Sequence, residues 1–401
     1  MGRRKFLRWI CSLLLLISAC GIGAKADEPS AKPAPVTKFD SPIVADRVRP
    51  HIEFLAAEEL RGRSGKDARK AARYIRQHFE QWKLNPLFEG GSFFQDVPGR
   101  TDSNGKRSVA GQNVAGWIPG SDPQLRDEFI IVSAHYDHLG VRNGKIYRGA
   151  DDNASGVSMM LEVAREISHS KVKPRRSIVF IGFDLEERML WGSRWFAAHP
   201  PWPMEQVKLF ITADMIGRSL GNLPLPAVFV LGSEHSSKLV ESMRQVGEPK
   251  GLEVARLGID LIGTRSDYGP FRDRKVPFLF FSTGEHPDYH SPRDLPERID
   301  YEKVARVSSL VLKICTAVAN DDETPVWTDE FTPNLDEVRT LNRIATLLLE
   351  AEQKRPLTDI QRLIVTQAKH KTQQILERGT MSASERTWLT RLSQLLLLSV
   401  F

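Results

Sequence analysis

The sequence predicts an α/β protein: a mainly parallel mixed sheet flanked by helices, with a helical extension at the C-terminus. Three observations carry this prediction. Short apolar runs recur at 129–132, 177–183, 209–212, 227–231 and 276–282. Helical spacing of apolar residues fills the intervals, as at 155–168, 237–246 and 301–318. Beyond about residue 320 the strand-like runs stop and helical periodicity takes over. Continuous apolar strands alternating with helices imply a sheet covered on both faces.

Taken in order, residues 1–26 read as an export signal. Arg3, Arg4, Lys5 and Arg8 precede a short apolar run at 10–17, and Ala24 and Ala26 supply an A-x-A cleavage site. That run is too short to span a bilayer. Residues 3–7 resemble a twin-arginine signal, and Ile17-Ser18-Ala19-Cys20 resembles a bacterial lipobox in which Cys20 is acylated. An ordinary secretory signal and a chance cysteine stand beside both readings. The expectation is a periplasmic or extracellular protein, with membrane anchoring through lipidated Cys20 as one form. Residues 27–42, with Pro29, Pro33, Pro35 and Pro42, read as a flexible spacer.

Charge and cysteine content exclude some classes. The 401-residue chain carries a formal charge of +6. Five basic and no acidic residues lie within 1–26, so their removal leaves +1. That balance gives no ground for a nucleic-acid partner. Three cysteines build no disulfide framework. Cys315 sits in an apolar helical run and reads as core.

Residues 43–84 show helical spacing, with Gly62 and Gly65 interrupting it as a loop. The main domain is expected at 43–320. Residues 321–401 are expected to form two or three helices. Leu335, Val338, Leu341, Ile344, Ala345 and Leu348 make one apolar face, Pro356 breaks the run, and Ser382 with Glu385 forms a capping box.

Five segments concentrate metal-type side chains: Ser133 to His138, Gly149 to Gly156, Asp184 to Glu187, Ala213 to Met215, and Asp288 to Ser291. Each alone has a bland reading: a solvated His-x-Asp loop, a turn or helix cap, a charged surface pair. Their placement is not independent. Four are expected directly after strands and one opens a helix, which gathers them at the carboxyl rim of the sheet, where open α/β sheets bind ligands. Zinc takes imidazole nitrogen and carboxylate oxygen. In two-metal hydrolase sites the cations sit roughly 3.5–4 Å apart, so a bridging carboxylate offsets their repulsion. Zinc lowers the pKa of bound water to about 7, and a further carboxylate must then take its proton. The Glu186–Glu187 pair can supply one base and one ligand.

Together these segments resemble the di-zinc metallopeptidase family of bacterial leucyl-type aminopeptidases and glutamate carboxypeptidase, over about residues 45–320. The resemblance implies a zinc-dependent exopeptidase fold and two Zn2+ ions. It implies His135 and Asp214 on one zinc, Glu187 and His290 on the other, and Asp152 between them. Asp152 rather than neighbouring Asp151 is chosen by counting back from Ser155-Gly156. Glu186 is implied as general base, and Tyr289 as a donor to the developing oxyanion. Asp137 is implied to orient His135 through its other ring nitrogen. His138 is not used by the family pattern and reads as a neighbour of the ligands or a bystander. The Arg265-Ser266-Asp267-Tyr268 loop resembles the family's Ser-Asp-His loop, with Tyr268 standing where His is usual.

The resulting expectation is an exported exopeptidase acting on peptides, most simply an aminopeptidase. A carboxypeptidase or dipeptidase on the same fold is the first alternative. A glutaminyl cyclase works with one zinc, which the full ligand set disfavours. A non-catalytic binding or receptor-like relative is the alternative from a different class. Such relatives usually lose ligands or the base.

Overall fold

The computed structural model describes residues 41–400 apart from 102–104, 106, 331–333 and 355, with side chains through residue 395. The export signal, Cys20 and residues 27–40 of the spacer therefore lie outside the described residues.

Helices α1 (Ala45–Leu55) and α2 (Ala68–Gln81) open the fold, separated by the loop carrying Gly62 and Gly65. Strands β1 (Asn85–Pro86), β2 (Phe94–Thr101), β3 (Arg107–Ile118) and β4 (Phe129–His135) follow, then a small hairpin, β5 (Gly140–Arg142) and β6 (Lys145–Tyr147). Next come α3 (Gly156–His169), β7 (Ser177–Phe183), α4 (Trp191–Ala198), β8 (Val207–Ala213), β9 (Ala227–Leu231), α5 (Ser237–Val246) and β10 (Glu253–Leu257). The chain continues through α6 (Gly269–Arg272), β11 (Phe278–Ser282) and α7 (Tyr301–Asn320) to α8 (Leu335–Glu350), α9 (Asp359–Arg378) and α10 (Ala383–Val400).

The main sheet has nine strands in the order β1-β3-β7-β4-β8-β11-β9-β10, with β2 paired to β3. Its centre, β7-β4-β8-β11, is parallel; β3 joins β7 and β9 joins β11 antiparallel. The parallel centre explains the continuous apolar runs. All seven residues of β4 and of β7 are buried, because both faces are covered. Side-chain alternation splits them between two cores. Ile130 and Val132 join the core beneath α1, α2, α3 and α7, whereas Phe129 and Ile131 face the opposite core.

That second core shows where the C-terminal helices go. Ile344, Ala345 and Leu348 of α8, Val365 and Ala368 of α9, and Leu392 of α10 pack with Phe229, Leu231 and Phe280 of the sheet. Residues beyond 320 thus complete a face of the sheet. Capping proceeds as their sequence implies: the Glu385 N–H donates to Ser382 Oγ at 3.2 Å, and the Ser382 N–H donates to Glu385 Oε2 at 3.0 Å. Cys315 is a free, fully buried thiol in α7, pushed up to about 12 by burial.

One placement differs from expectation. The Asp288–Ser291 segment does not follow a strand directly, since β11 ends at Ser282 and residues 283–287 intervene. A separate set of contacts holds this loop in place.

Candidate metal centre

The parallel centre of the sheet delivers three of the five segments. His135 is the last residue of β4, Asp184–Glu187 follows β7, and Asp214 follows β8. Strand ends side by side in parallel register put these side chains at one rim. The fourth, 150–155, is an irregular turn leading into α3. Gly156 lets that turn come close: a Cβ there would lie 2.4 Å from the Ala213 carbonyl oxygen. Packing α3 so tightly against the end of β8 brings Asp152 beside Asp214.

Two ligand sets result, each with its donor atoms within 4.8 Å of one another: His135, Asp152 and Asp214, and His138, Asp152 and Glu187. Asp152 belongs to both. His135 Nε2 lies 3.4 Å from Asp152 Oδ1 and 3.4 Å from Asp214 Oδ1. His290 Nε2 lies 3.2 Å from Asp152 Oδ2 and 3.3 Å from Glu187 Oε2. His135, Asp152, Glu187, Asp214 and His290 are therefore gathered in one cluster. Asp151 is turned away, its Oδ1 accepting the Gly217 N–H at 2.6 Å. Its own carboxylate thus fixes the neighbouring loop, which leaves Asp152 as the carboxylate of the cluster.

The cluster fits divalent cations. His135 Nε2, Asp214 Oδ1 and His138 Nε2 are buried without a hydrogen-bond partner among the described residues. Buried polar atoms are rarely left so. Carboxylates are also crowded away from water, a costly arrangement without compensating positive charge. Burial, then the charges of Asp214, Asp267 and Asp137, push Glu186 well above the usual carboxylate range, with His135 pulling the other way. Burial likewise raises Asp267 to about 7 and Asp214 above its ordinary value. Imidazole and carboxylate donors are the set that suits zinc.

Glu186 stands beside this cluster, its Oε2 3.9 Å from His135 Nε2. Asp137 does not hold His135 in the way the resemblance implies. Its carboxylate Oδ1 is 3.7 Å from His135 Nδ1, too far for a hydrogen bond. The main-chain oxygen of Asp137, at 3.2 Å, takes that place. The Asp137 carboxylate instead accepts the Glu186 N–H at 3.0 Å, fixing the Glu186–Glu187 segment.

Tyr289 stacks on His290, with ring centroids 3.9 Å apart, and is half-buried at the mouth of the site. Tyr268 is fully buried, and its hydroxyl donates to the Gly263 carbonyl at 2.5 Å while accepting the Arg265 N–H. It knots the 263–268 loop instead of facing the cluster.

Several positioning residues escape sequence reasoning. Arg63, fully buried, donates to the carbonyls of Leu55, Tyr136, Arg148, Gly149 and Asp152. It ties the His135 segment to the Asp152 segment. Asp294 accepts the N–H groups of both Asp151 and Asp152 at 3.0 Å. Asp288 pairs with Arg218, Arg293 and Arg298 at 3.1, 2.8 and 2.7 Å, anchoring the loop that presents Tyr289 and His290. Nothing local in the sequence marks Arg63 or Asp294, because they act on main-chain groups; Asp288 belongs to the 288–291 segment singled out in the sequence, but its pairing with Arg218, 70 residues away, is not marked there. His138 takes the first of its two expected places, as a neighbour of the ligands, with Nδ1 2.8 Å from Glu187 Oε1.

Comparison with known proteins agrees with this geometry. Residues 113–315 match the family model described as peptidase family M28. Aminopeptidase YwaD of Bacillus subtilis is 30% identical over 191 residues, covering 46% of this chain and 40% of that protein. A glutaminyl-peptide cyclotransferase of Boiga dendrophila is 27% identical over 227 residues, covering 47% and 61%. The chain thus spans about half the length of these curated relatives. Among solved structures, a zinc aminopeptidase from Bacillus subtilis superposes with a TM-score of 0.55 at 18% identity, over 73% of this chain and 100% of that one. At that identity the match speaks to the fold alone, an α/β sheet flanked by helices.

Proposed function

The chain belongs to peptidase family M28, and on that premise we propose that it is a zinc-dependent exopeptidase removing N-terminal residues from peptides. One observation carries the reading: Asp152 lies within 3.4 Å of His135 on one side and 3.2 Å of His290 on the other, and Glu186 stands beside them. His135 and Asp214 would hold one zinc and Glu187 and His290 the other, with Asp152 reaching both.

When bound, the zinc pair would supply Lewis-acid polarisation of a carbonyl and acidification of water. The protein's own groups do the rest. The Glu186 carboxylate takes a proton from the attacking water and returns it to the leaving amine. Its main chain is held by the Asp137 carboxylate, so its side chain starts from a fixed position. Tyr289 lies at the pocket mouth, where its hydroxyl can donate to an oxygen gaining negative charge.

The test is a substrate panel on zinc-loaded protein: aminoacyl anilides, their N-acetylated forms, peptides ending in glutamate, and peptides beginning with glutamine. Cleavage of free N-termini with no turnover of the acetylated forms is expected. Cleavage only from the C-terminus, or cyclisation of glutamine without cleavage, would overturn the aminopeptidase reading. Residues 1–26 further support export, with anchoring through acylated Cys20. Metabolic labelling with palmitate, lost in Cys20→Ala, is the expected signature of the anchored form.

A further inference from the structure

A cavity of about 690 Å3 runs from the metal-ligand rim into the second core. At its near end are Asp152, Glu186, Asp214 and His290. Its floor is the sheet, through Phe229, Leu231 and Phe280. Its far wall is Ile344, Ala368, Leu389 and Leu392, contributed by α8, α9 and α10.

Two features make this more than loose packing. Protein interiors are close-packed, and voids much larger than a water molecule are few. A cavity of this size, lined mainly by apolar side chains, with polar groups at the rim and again at Asp260, Ser393 and Gln394, has the form of a ligand pocket. The far wall is also fixed with respect to the rim. The Arg386 guanidinium on α10 donates twice to Asp260 at 2.7 Å and to Glu337 on α8 at 3.0 Å. Glu337 Oε1 in turn accepts the Gly258 N–H at 2.6 Å. These bonds tie two C-terminal helices to the 258–263 loop, whose Asp260, Leu261, Ile262 and Gly263 line the same cavity.

We propose that the C-terminal helices form a specificity wall, and that the cavity receives a large apolar side chain on the carbonyl side of the scissile bond. This rests on the peptidase reading for its geometry. The wall lies outside residues 113–315, so it is a property of this chain's extension and not of the matched family segment. Phe and Trp side chains bury apolar surface against this lining, whereas Ala leaves most of it without a partner. A hydrophobic pocket discriminates by roughly 10- to 200-fold per methylene-scale difference.

The test fills the far wall with Ala368→Trp, and separately with Leu392→Phe in case the first fails to fold. Both are compared with wild type by thermal midpoint, by zinc content, and by kcat/KM for Trp and Ala anilides. A fall of more than tenfold in the Trp-to-Ala ratio is expected in the filled variants. Free 2-naphthylalanine, followed by its fluorescence, supplies a binding readout independent of turnover. It should bind the wild-type zinc-loaded protein and bind at least tenfold more weakly to a folded, filled variant. An unmoved ratio, or equal 2-naphthylalanine binding in folded variants, would overturn the proposal. Binding to the wild type without any peptide turnover would uphold the cavity and remove the peptidase reading instead.

Discussion

His138 Nδ1 lies 2.8 Å from Glu187 Oε1, closer than the 3.3 Å separating His290 Nε2 from Glu187 Oε2. The fully buried His138 therefore touches the carboxylate that the half-exposed His290 also approaches. Groups contacting a ligand set its orientation and basicity, and their loss typically lowers metal affinity by about 10- to 100-fold. His138→Ala is expected to weaken zinc retention in that range in a chelator competition. Wild-type retention would show that Glu187 needs no such neighbour.

Arg63 satisfies five carbonyl oxygens from a fully buried position. Burial lowers its guanidinium to about 10, opposed by Asp152, Asp294, Asp137 and Glu187, so it remains charged at neutral pH. Removing one partner of a buried charged network costs about 3–5 kcal/mol. Arg63→Met should destabilise the protein by that order in denaturant unfolding. Arg63→Lys should recover only part, because an ammonium cannot reproduce the planar fork. A loss under about 1 kcal/mol for Arg63→Met would contradict the role assigned to it.

Glu186 is expected to carry the proton of the reaction. Glu186→Gln should lower kcat by about 10²- to 10⁴-fold while bound zinc stays at the wild-type amount. Zinc lost in parallel with activity would mean that Glu186 is a ligand.

Attachment of the last helix should depend on pH. Glu385 is buried somewhat, which raises its proton affinity, but Lys371, the Ser382 N–H and Arg378 outweigh this and hold it at about 2 against an ordinary 4.5. A lowered carboxyl contributes stability that is present above about 4.5 and lost as pH falls toward 2. Glu385→Gln should lower the thermal midpoint at pH 7 and leave it close to wild type near pH 2. A constant difference across that range would locate the effect in packing rather than charge.

Much of the site was legible in the sequence because parallel strands place their C-terminal residues side by side. His135, Asp184–Glu187 and Asp214 each end an apolar run, so one-dimensional position predicts convergence. Other parts had no such signal. Strand β3 is exposed over its first residues and carries Gly111 and Gly116, so it shows neither a continuous apolar run nor a clean alternation. β10 is a five-residue edge strand with a single buried residue. The apolar stripe of α8 announces burial but not the partner, and only the fold reveals that it covers β9 and β10. Arg63 and Asp294 act on main-chain groups as far as 143 residues away, and Asp288 reaches Arg218 across 70, contacts that local pattern does not encode.

The most direct test is zinc stoichiometry by mass spectrometry of metals on the purified protein, with aminoacyl anilide turnover followed during chelation and readdition. The account predicts close to two zinc ions per chain, turnover lost on chelation, and recovery on zinc return. A protein that takes up no zinc and turns over no substrate would contradict it.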